Sequence, residues 1–316
     1  MKFIEYYLED LHLKEKDKDS IRNNLNGYNK FINWYKINVK SLEEDEIIKA
    51  VTIEDAFSYR RFLLENFKTS TVNLNIAVIK SFYTFLNKHN LLENNIFSGF
   101  GELNSKKDKR KKEVPTASEI CELVKSFDVK LPLQRFHEYT STRDKAILSI
   151  LATTGIRIDN LLNVTMDRLF IVNEGYKIHF NEEETKGRVE VNLFITGITK
   201  ELLDKWLSIR KNKQGNNTIF TSINGGKVGK KEYNECLKQR CKIAGIDKHL
   251  TAHCFRYACN NILLSNKIDV NDIKIMLGWK INKTEMLFHA YYDNLSQEKK
   301  FIEYSKMLNE IIYKSV

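Results

Sequence analysis

Apolar residues recur at three- and four-residue steps along most of the chain, the spacing of one buried helix face. In "IRNNLNGYNKFINWYKIN", Ile21, Leu25, Tyr28, Ile32 and Tyr35 keep that step. "TIEDAFSYRRFLLENF" opens on Thr52, whose hydroxyl suits a helix N-cap. "TSTVNLNIAVIKSFYTFLNKHNLL" places Leu74, Val78, Phe82 and Phe85 on one face. Residues 1–103 thus predict roughly four helices and no strand. Further on, "STRDKAILSILATTGIRIDNLLNVTMDRL" predicts a helix, a break at Gly155 and a second helix. "KELLDKWLSIR", "HLTAHCFRYACNNILLSN", "VNDIKIMLGWK" and the tail "SQEKKFIEYSKMLNEIIYKS" also read as helices. Residues 176–196, "YKIHFNEEETKGRVEVNLFIT", instead alternate on both sides of a polar centre holding Lys186-Gly187, which predicts a β-hairpin. The expected fold is mainly α with a small β-hairpin or sheet.

The pattern breaks once, at "NSKKDKRKKEVPTASE" (104–119), where six basic residues fall between Lys106 and Lys112 with no apolar residue among them. Like charges repel and resist burial, so this is an exposed connector. Thr116 and Glu119 beyond Pro115 have the spacing of a capping box that starts a new helix. The expected organisation is a helical domain over 1–103, a basic linker over 104–114 and a mixed domain over 115–316.

Composition narrows the function. With 42% hydrophobic residues the chain can build cores, and a net charge of +10 favours an anionic partner, nucleic acid first. No apolar run approaches the roughly 20 residues that span a bilayer, and acids interrupt the N-terminus, so neither membrane nor export is expected and the location is expected to be cytoplasmic. Cys121, Cys236, Cys241, Cys254 and Cys259 form no CxxC pair and read as reduced thiols. Only two prolines occur, which suits a mostly helical chain.

Some residues are out of place on a mere scaffold. Arg157 follows "TTG" at a helix start, Lys186 sits at the hairpin tip, and His253 and Arg256 are three residues apart in "TAHCFRYACN". "LGW" (277–279) ends a helix, and Tyr291 and Tyr292 lie beyond it. Two guanidinium groups clamp phosphate oxygens and oppose the charge that grows in a transition state. A lysine supplies a proton to an alkoxide leaving group, a tyrosine hydroxyl holds a phosphate covalently, and a histidine relays a proton. No acidic cluster with metal-ligand spacing accompanies them, so no metal or other cofactor is expected.

The set resembles the tyrosine recombinase (phage integrase) family. "TGIRIDNLLNV" is similar to its first arginine box, "HCFR" to its HxxR box, "LGW" to its LG-His/Trp box and "ETKGR" to its lysine hairpin. "STVNLNIAVIKSFYTFLNKHNLLENN" resembles the end of its core-binding domain and "KKEVPTASEI" its interdomain linker. The resemblance covers nearly the whole chain and implies a C-shaped two-domain clamp on double-stranded DNA. It also implies cutting through a 3′-phosphotyrosine, and exchange and religation within a tetramer. It assigns Arg157 and Arg256 to the phosphate, Lys186 to acid catalysis, His253 to proton transfer and Trp279 to support of the phosphate. The core-binding pattern begins near residue 1, which suggests an Xer-like or mobile-element recombinase without an additional arm-binding domain. In the family the C-terminal helix often docks on a neighbouring protomer. The same is expected of 296–315, with Phe301, Tyr304, Leu308 and Ile311 as the docking stripe.

Two departures stand out. The acid usual three residues after the first arginine is Asn160 here, with Asp159 beside it. The nucleophile usual nine residues after the LG-His/Trp residue falls on Phe288. A polar extension at "KINKT" shifts the expectation to Tyr291, with Tyr292 and a lost tyrosine at 288 as rivals. A catalytically inactive DNA-binding relative and a type IB topoisomerase-like enzyme remain alternatives.

Overall fold

The computed structural model describes residues 2–104, 113–131, 136–185, 189–279 and 294–314. The chain divides into two compact units, Met1–Arg110 and Lys111–Val316.

The first unit contains α1 (Phe3–Leu13), α2 (Lys18–Asn38), α3 (Glu44–Ala50), α4 (Ile53–Asn66) and α5 (Thr69–Lys88). Thr52 caps α4 through a reciprocal pair with Asp55, as the sequence predicts. The core is largely aromatic: Tyr28, Phe31, Tyr59, Phe82, Tyr83 and Phe97 are fully buried. Their rings meet mostly at steep angles, as between Phe31 and Tyr59 with centroids 4.9 Å apart. Leu74 departs from its predicted face and is exposed, because the buried face of α5 is centred on Val72, Ile76, Ile79, Phe82, Tyr83 and Leu86.

The second unit opens with α6 (Ala117–Ser126), capped by the predicted Thr116–Glu119 box. The long helix α7 (His137–Thr154) is buried along almost its whole length and packs against α9 (Gly197–Ile209) and α11 (Ala252–Ser265). Between α7 and α9 come the short α8 (Ile158–Asn163) and an antiparallel sheet ordered β1 (Leu169–Val172), β2 (Gly175–Phe180), β3 (Val191–Ile195). The predicted hairpin is β2–β3, with Ile178 facing Leu193 and Phe180 facing Val191. The third strand, β1, begins where the predicted helical stretch was expected to end, at Leu169. α8 ends at Asn163, and the chain then pairs Leu169 with Ile178. α10 (Lys230–Ile243) was not evident in the pattern, since its buried face carries Arg240 between Leu237 and Cys241. α12 (Val270–Met276) follows α11.

The terminal helix is α13 (Asn294–Tyr313). In the single chain it is seated on its own unit, against α6, α9 and β3. Phe301, Leu308, Ile312 and Tyr313 are buried. Polar residues lock the seat: Ser305 Oγ donates to the Phe194 carbonyl at 2.9 Å, and Asn309 Oδ1 accepts from Thr199 N–H at 3.0 Å. The inward stripe therefore runs through Ser305 and Asn309, whose partners lie in the same chain.

Candidate active site

Two helix ends build the centre of the site. α7 stops at Gly155, which takes a left-handed φ of 62°. A Cβ there would stand 2.4 Å from Leu277 Cδ2, so both the backbone turn and the close approach require glycine. α12 stops in a Schellman turn. Gly278 N–H donates to the Ile275 carbonyl and Trp279 N–H to the Lys274 carbonyl, each at 2.9 Å, with Gly278 at φ 60°. The "TTG" and "LGW" motifs are thus two helix terminators that meet.

Arg256, on α11, joins them. Its Nη1 donates to the Gly155 carbonyl at 2.7 Å, and its Nη2 donates to the Leu277 carbonyl. Carbonyls at helix C-termini carry partial negative charge and favour a cation. Those bonds use one N–H on each terminal nitrogen, leaving three of the five guanidinium N–H groups for other acceptors. The guanidinium carbon also lies 5.7 Å from the centroid of the Trp279 ring. Arg256 is only 5% exposed. Burial, and then the positive charge of Arg157, bring its pKa down to about 10.

Arg157 emerges two residues after Gly155, as the cap residue of α8. Burial lowers its pKa too. Arg157 and Arg256 line one pocket with Asn160, Thr185, Leu277 and Gly278. A buried and a half-buried cation in one pocket, each held below its ordinary pKa, call for an anion.

The acidic position resolves in one direction. Asp159 is exposed and pairs with Lys230, outside that pocket, whereas Asn160 lines it. An uncharged amide thus stands beside the arginines.

His253 sits in the exposed first turn of α11, its ring edge-on to Tyr257 with centroids 4.8 Å apart. Arg256 and His253 share a helix, but one is buried as the other faces outward. Lys186 lies outside the described residues, as do Tyr291, its rival Tyr292 and Phe288. What flanks Lys186 is described. Thr185 Oγ1 donates to the Val189 carbonyl at 2.7 Å and accepts the Val189 N–H at 3.0 Å, and Thr185 lines the arginine pocket. The structure therefore brings Arg157, Arg256 and Trp279 together and sets His253 at the start of the same helix. Sequence reasoning missed Thr185 and the two backbone carbonyls; a carbonyl leaves no residue-type signal. Among the described residues no group of His, Cys, Asp and Glu is placed to hold a metal, and no helix is long and apolar enough to cross a membrane.

Comparison with known proteins places this geometry. Residues 128–298 match the Phage integrase family. A tyrosine recombinase XerC of Rickettsia felis is 28% identical over 267 residues, covering 83% of this chain and 81% of the relative. Among solved structures, a lambda integrase (75–356) dimer bound to a COC′ core site is similar with a TM-score of 0.64 at 14% identity, covering 92% of this chain and 97% of that one. A lambda integrase tetramer bound to a Holliday junction gives a TM-score of 0.64 at 15% identity, covering 93% and 79%.

Proposed function

The chain belongs to the phage integrase family of tyrosine recombinases, and on that premise we propose that the arginine pocket is the catalytic centre of a site-specific DNA recombinase. It breaks and rejoins strands through a 3′-phosphotyrosine. The observation that carries this reading is the placement of Arg256: buried, gripped by the Gly155 and Leu277 carbonyls, and sharing its pocket with Arg157.

The chemistry follows from the groups. A phosphodiester held between Arg157 and Arg256 has its non-bridging oxygens opposed by two fixed cations. They stabilise the charge that grows as a nucleophile adds. The Tyr291 hydroxyl attacks phosphorus and the bond to the 5′-oxygen breaks, leaving a 3′-phosphotyrosine and a free 5′-hydroxyl. The tyrosine proton passes to His253 or to a phosphate oxygen, and Lys186 gives a proton to the departing 5′-oxygen. Religation runs the same steps backwards, with a 5′-hydroxyl as nucleophile. Trp279 supports Arg256 through its ring beside the guanidinium. Asn160 supplies a hydrogen-bonding group without adding a negative charge to compete with the phosphate.

The partner is double-stranded DNA, gripped by the catalytic unit and by the helical unit, and the working assembly is a tetramer on DNA. In the single chain α13 is seated on its own unit. The protein acts in the cytoplasm, with an Xer-like or mobile-element role. The test is a duplex nicked close to the cut site, so that the cleaved fragment diffuses away. A protein–DNA band that survives denaturation supports the reading. Its absence across a library of target sequences points to a relative that binds DNA without cutting it.

A further inference from the structure

One face of α2 carries a row of uniform composition. Arg22, Asn26, Asn29, Asn33 and Lys36 step by four, three, four and three residues, the spacing of a single helix face. At 1.5 Å per residue the row is about 21 Å long. Arg22 and the three asparagines are exposed, and Lys36 is half-buried. The opposite face is fixed, because Tyr28, Phe31, Ile32, Trp34 and Tyr35 are buried in the aromatic core.

The asparagines of α2 differ in what they bond. Asn24 accepts from the Tyr7 hydroxyl and donates to the Ser20 carbonyl, each at 2.9 Å, and Asn38 donates to the Trp34 carbonyl at 2.8 Å. Among the described residues, the amides of Asn26, Asn29 and Asn33 make no hydrogen bond. Asparagine is a poor helix former, since its amide competes for nearby backbone groups. On a solvent face with no packing to satisfy, lysine, glutamine or alanine would serve the helix better. Three amides in one row therefore weaken α2 without a compensating contact inside the fold.

Charge indicates what the row faces. No acid occurs from Ser20 to Leu42, in a chain with 41 acidic residues, and Arg22, Lys30, Lys36 and Lys40 make the stretch positive. Asp19, one turn before the row, pairs with Arg22 at 2.9 Å. Cations at both ends suit phosphates, and unbonded amides between them suit base edges. An α-helix fits the major groove of duplex DNA. There an asparagine amide meets adenine with two hydrogen bonds: its oxygen accepts from N6–H and its nitrogen donates to N7.

We propose that this row selects the target sequence. Asn26, Asn29 and Asn33 take adenine edges in the major groove, and Arg22 and Lys36 hold the phosphates on either side. The proposal rests on the reading of the chain as a site-specific recombinase, and adds the base it prefers and the residues that read it.

The experiment selects bound duplexes from a randomised pool with the full-length parent, Asn26→Ala, Asn29→Ala, Asn33→Ala and Lys36→Gln. It needs no cleavage. The parent returns a motif with fixed adenines. Each alanine variant loses the preference at one of them, binds the parent's site about tenfold more weakly and binds unrelated duplex as before. Replacing that adenine by 7-deazaadenine, which lacks the N7 acceptor, weakens the parent and leaves the matching variant unaffected. Lys36→Gln binds all duplexes more weakly and lowers the salt slope by about one. The alanine variants melt at or above the parent's temperature. A parental motif and affinity in all three alanine variants overturns the proposal. So does a loss that is uniform across sequences, which marks backbone contact alone, or a lower melting temperature, which marks the amides as structural ties. A parent that selects no motif refutes the site-specific reading itself, and this proposal with it.

Discussion

Arg256 donates a 2.7 Å hydrogen bond to the carbonyl of Gly155, a residue that also ends the helix leading to Arg157. One glycine therefore sets the position of one arginine directly and of the other through the chain. Gly155→Ala places a side chain at a left-handed φ, which alone costs about 1–2 kcal/mol, and crowds Leu277 Cδ2 at 2.4 Å. The variant is expected to melt at lower temperature and to lose more cleavage than DNA affinity. Parent-like cleavage at a parent-like melting temperature would show that this contact does not fix the site.

Arg256→Lys keeps a positive charge but cannot bridge the Gly155 and Leu277 carbonyls while also presenting a fork to phosphate. Cleavage of a nicked duplex is expected to fall by roughly 10²-fold or more, the scale on which single transition-state donors act. Binding measured by fluorescence anisotropy stays close to the parent. Near-parental cleavage would make Arg256 a structural tie between two helix ends.

The depressed pKa of Arg256 has a signed consequence. Its folded value of about 10 lies below the ordinary arginine value, so between the two the unfolded chain binds more protons and stability rises with pH. Below about pH 10 the cost of the buried charge is fully present and constant. An anion in the pocket offsets that cost. Millimolar phosphate or sulfate should raise the melting temperature across pH 6–9 with no titration from Arg256, and Arg157→Gln should weaken the effect. An equal rise in the variant would place the anion elsewhere.

Several parts of this picture were legible in the residues alone. The N-cap at Thr52, the capping box at Thr116 and the alternation across 176–196 rest on local rules, and the structure follows them. "TTG" and "LGW" were legible as helix ends, but not as neighbours. Their meeting is a long-range fact that depends on a guanidinium reaching two carbonyls. α10 escaped because a fully buried arginine, Arg240, spoils the apolar spacing; its charge is met by the Ser126 and Val129 carbonyls at 2.6 Å. The apolar stripe of α13 was legible, but not the role of Ser305 and Asn309, polar residues that tie the helix to β3 and α9.

That docking changes what truncation should do. Removal of 295–316 strips Phe301, Leu308, Ile312 and Tyr313 from the cores of the second unit. At about 1.5–3 kcal/mol for each large apolar side chain, the loss rivals the whole stability of a typical domain. The truncated chain is expected to be insoluble or to lack cooperative unfolding in calorimetry. A soluble truncated monomer that melts like the parent and still binds DNA would favour an exchanged-helix arrangement.

The last prediction concerns the nucleophile. The Schellman turn fixes how the chain leaves α12, through the Trp279 N–H bond to the Lys274 carbonyl, and residues 280–293 follow. Nine positions past Trp279 stands Phe288, which has no hydroxyl. If "EMLFHAYYDN" is helical, with Met286, Leu287 and Ala290 inward, Tyr291 lies one turn beyond Leu287, on the same side. Tyr292 then projects about 100° away, so only one of the two tyrosines can face the phosphate. Tyr291→Phe should abolish the covalent complex on a nicked duplex, and Tyr292→Phe should retain it. The reverse result moves the nucleophile by one residue. Trapping by both variants removes both candidates. A parent that traps nothing, alongside a Phe288→Tyr variant that does, would identify position 288 as the site where the hydroxyl was lost.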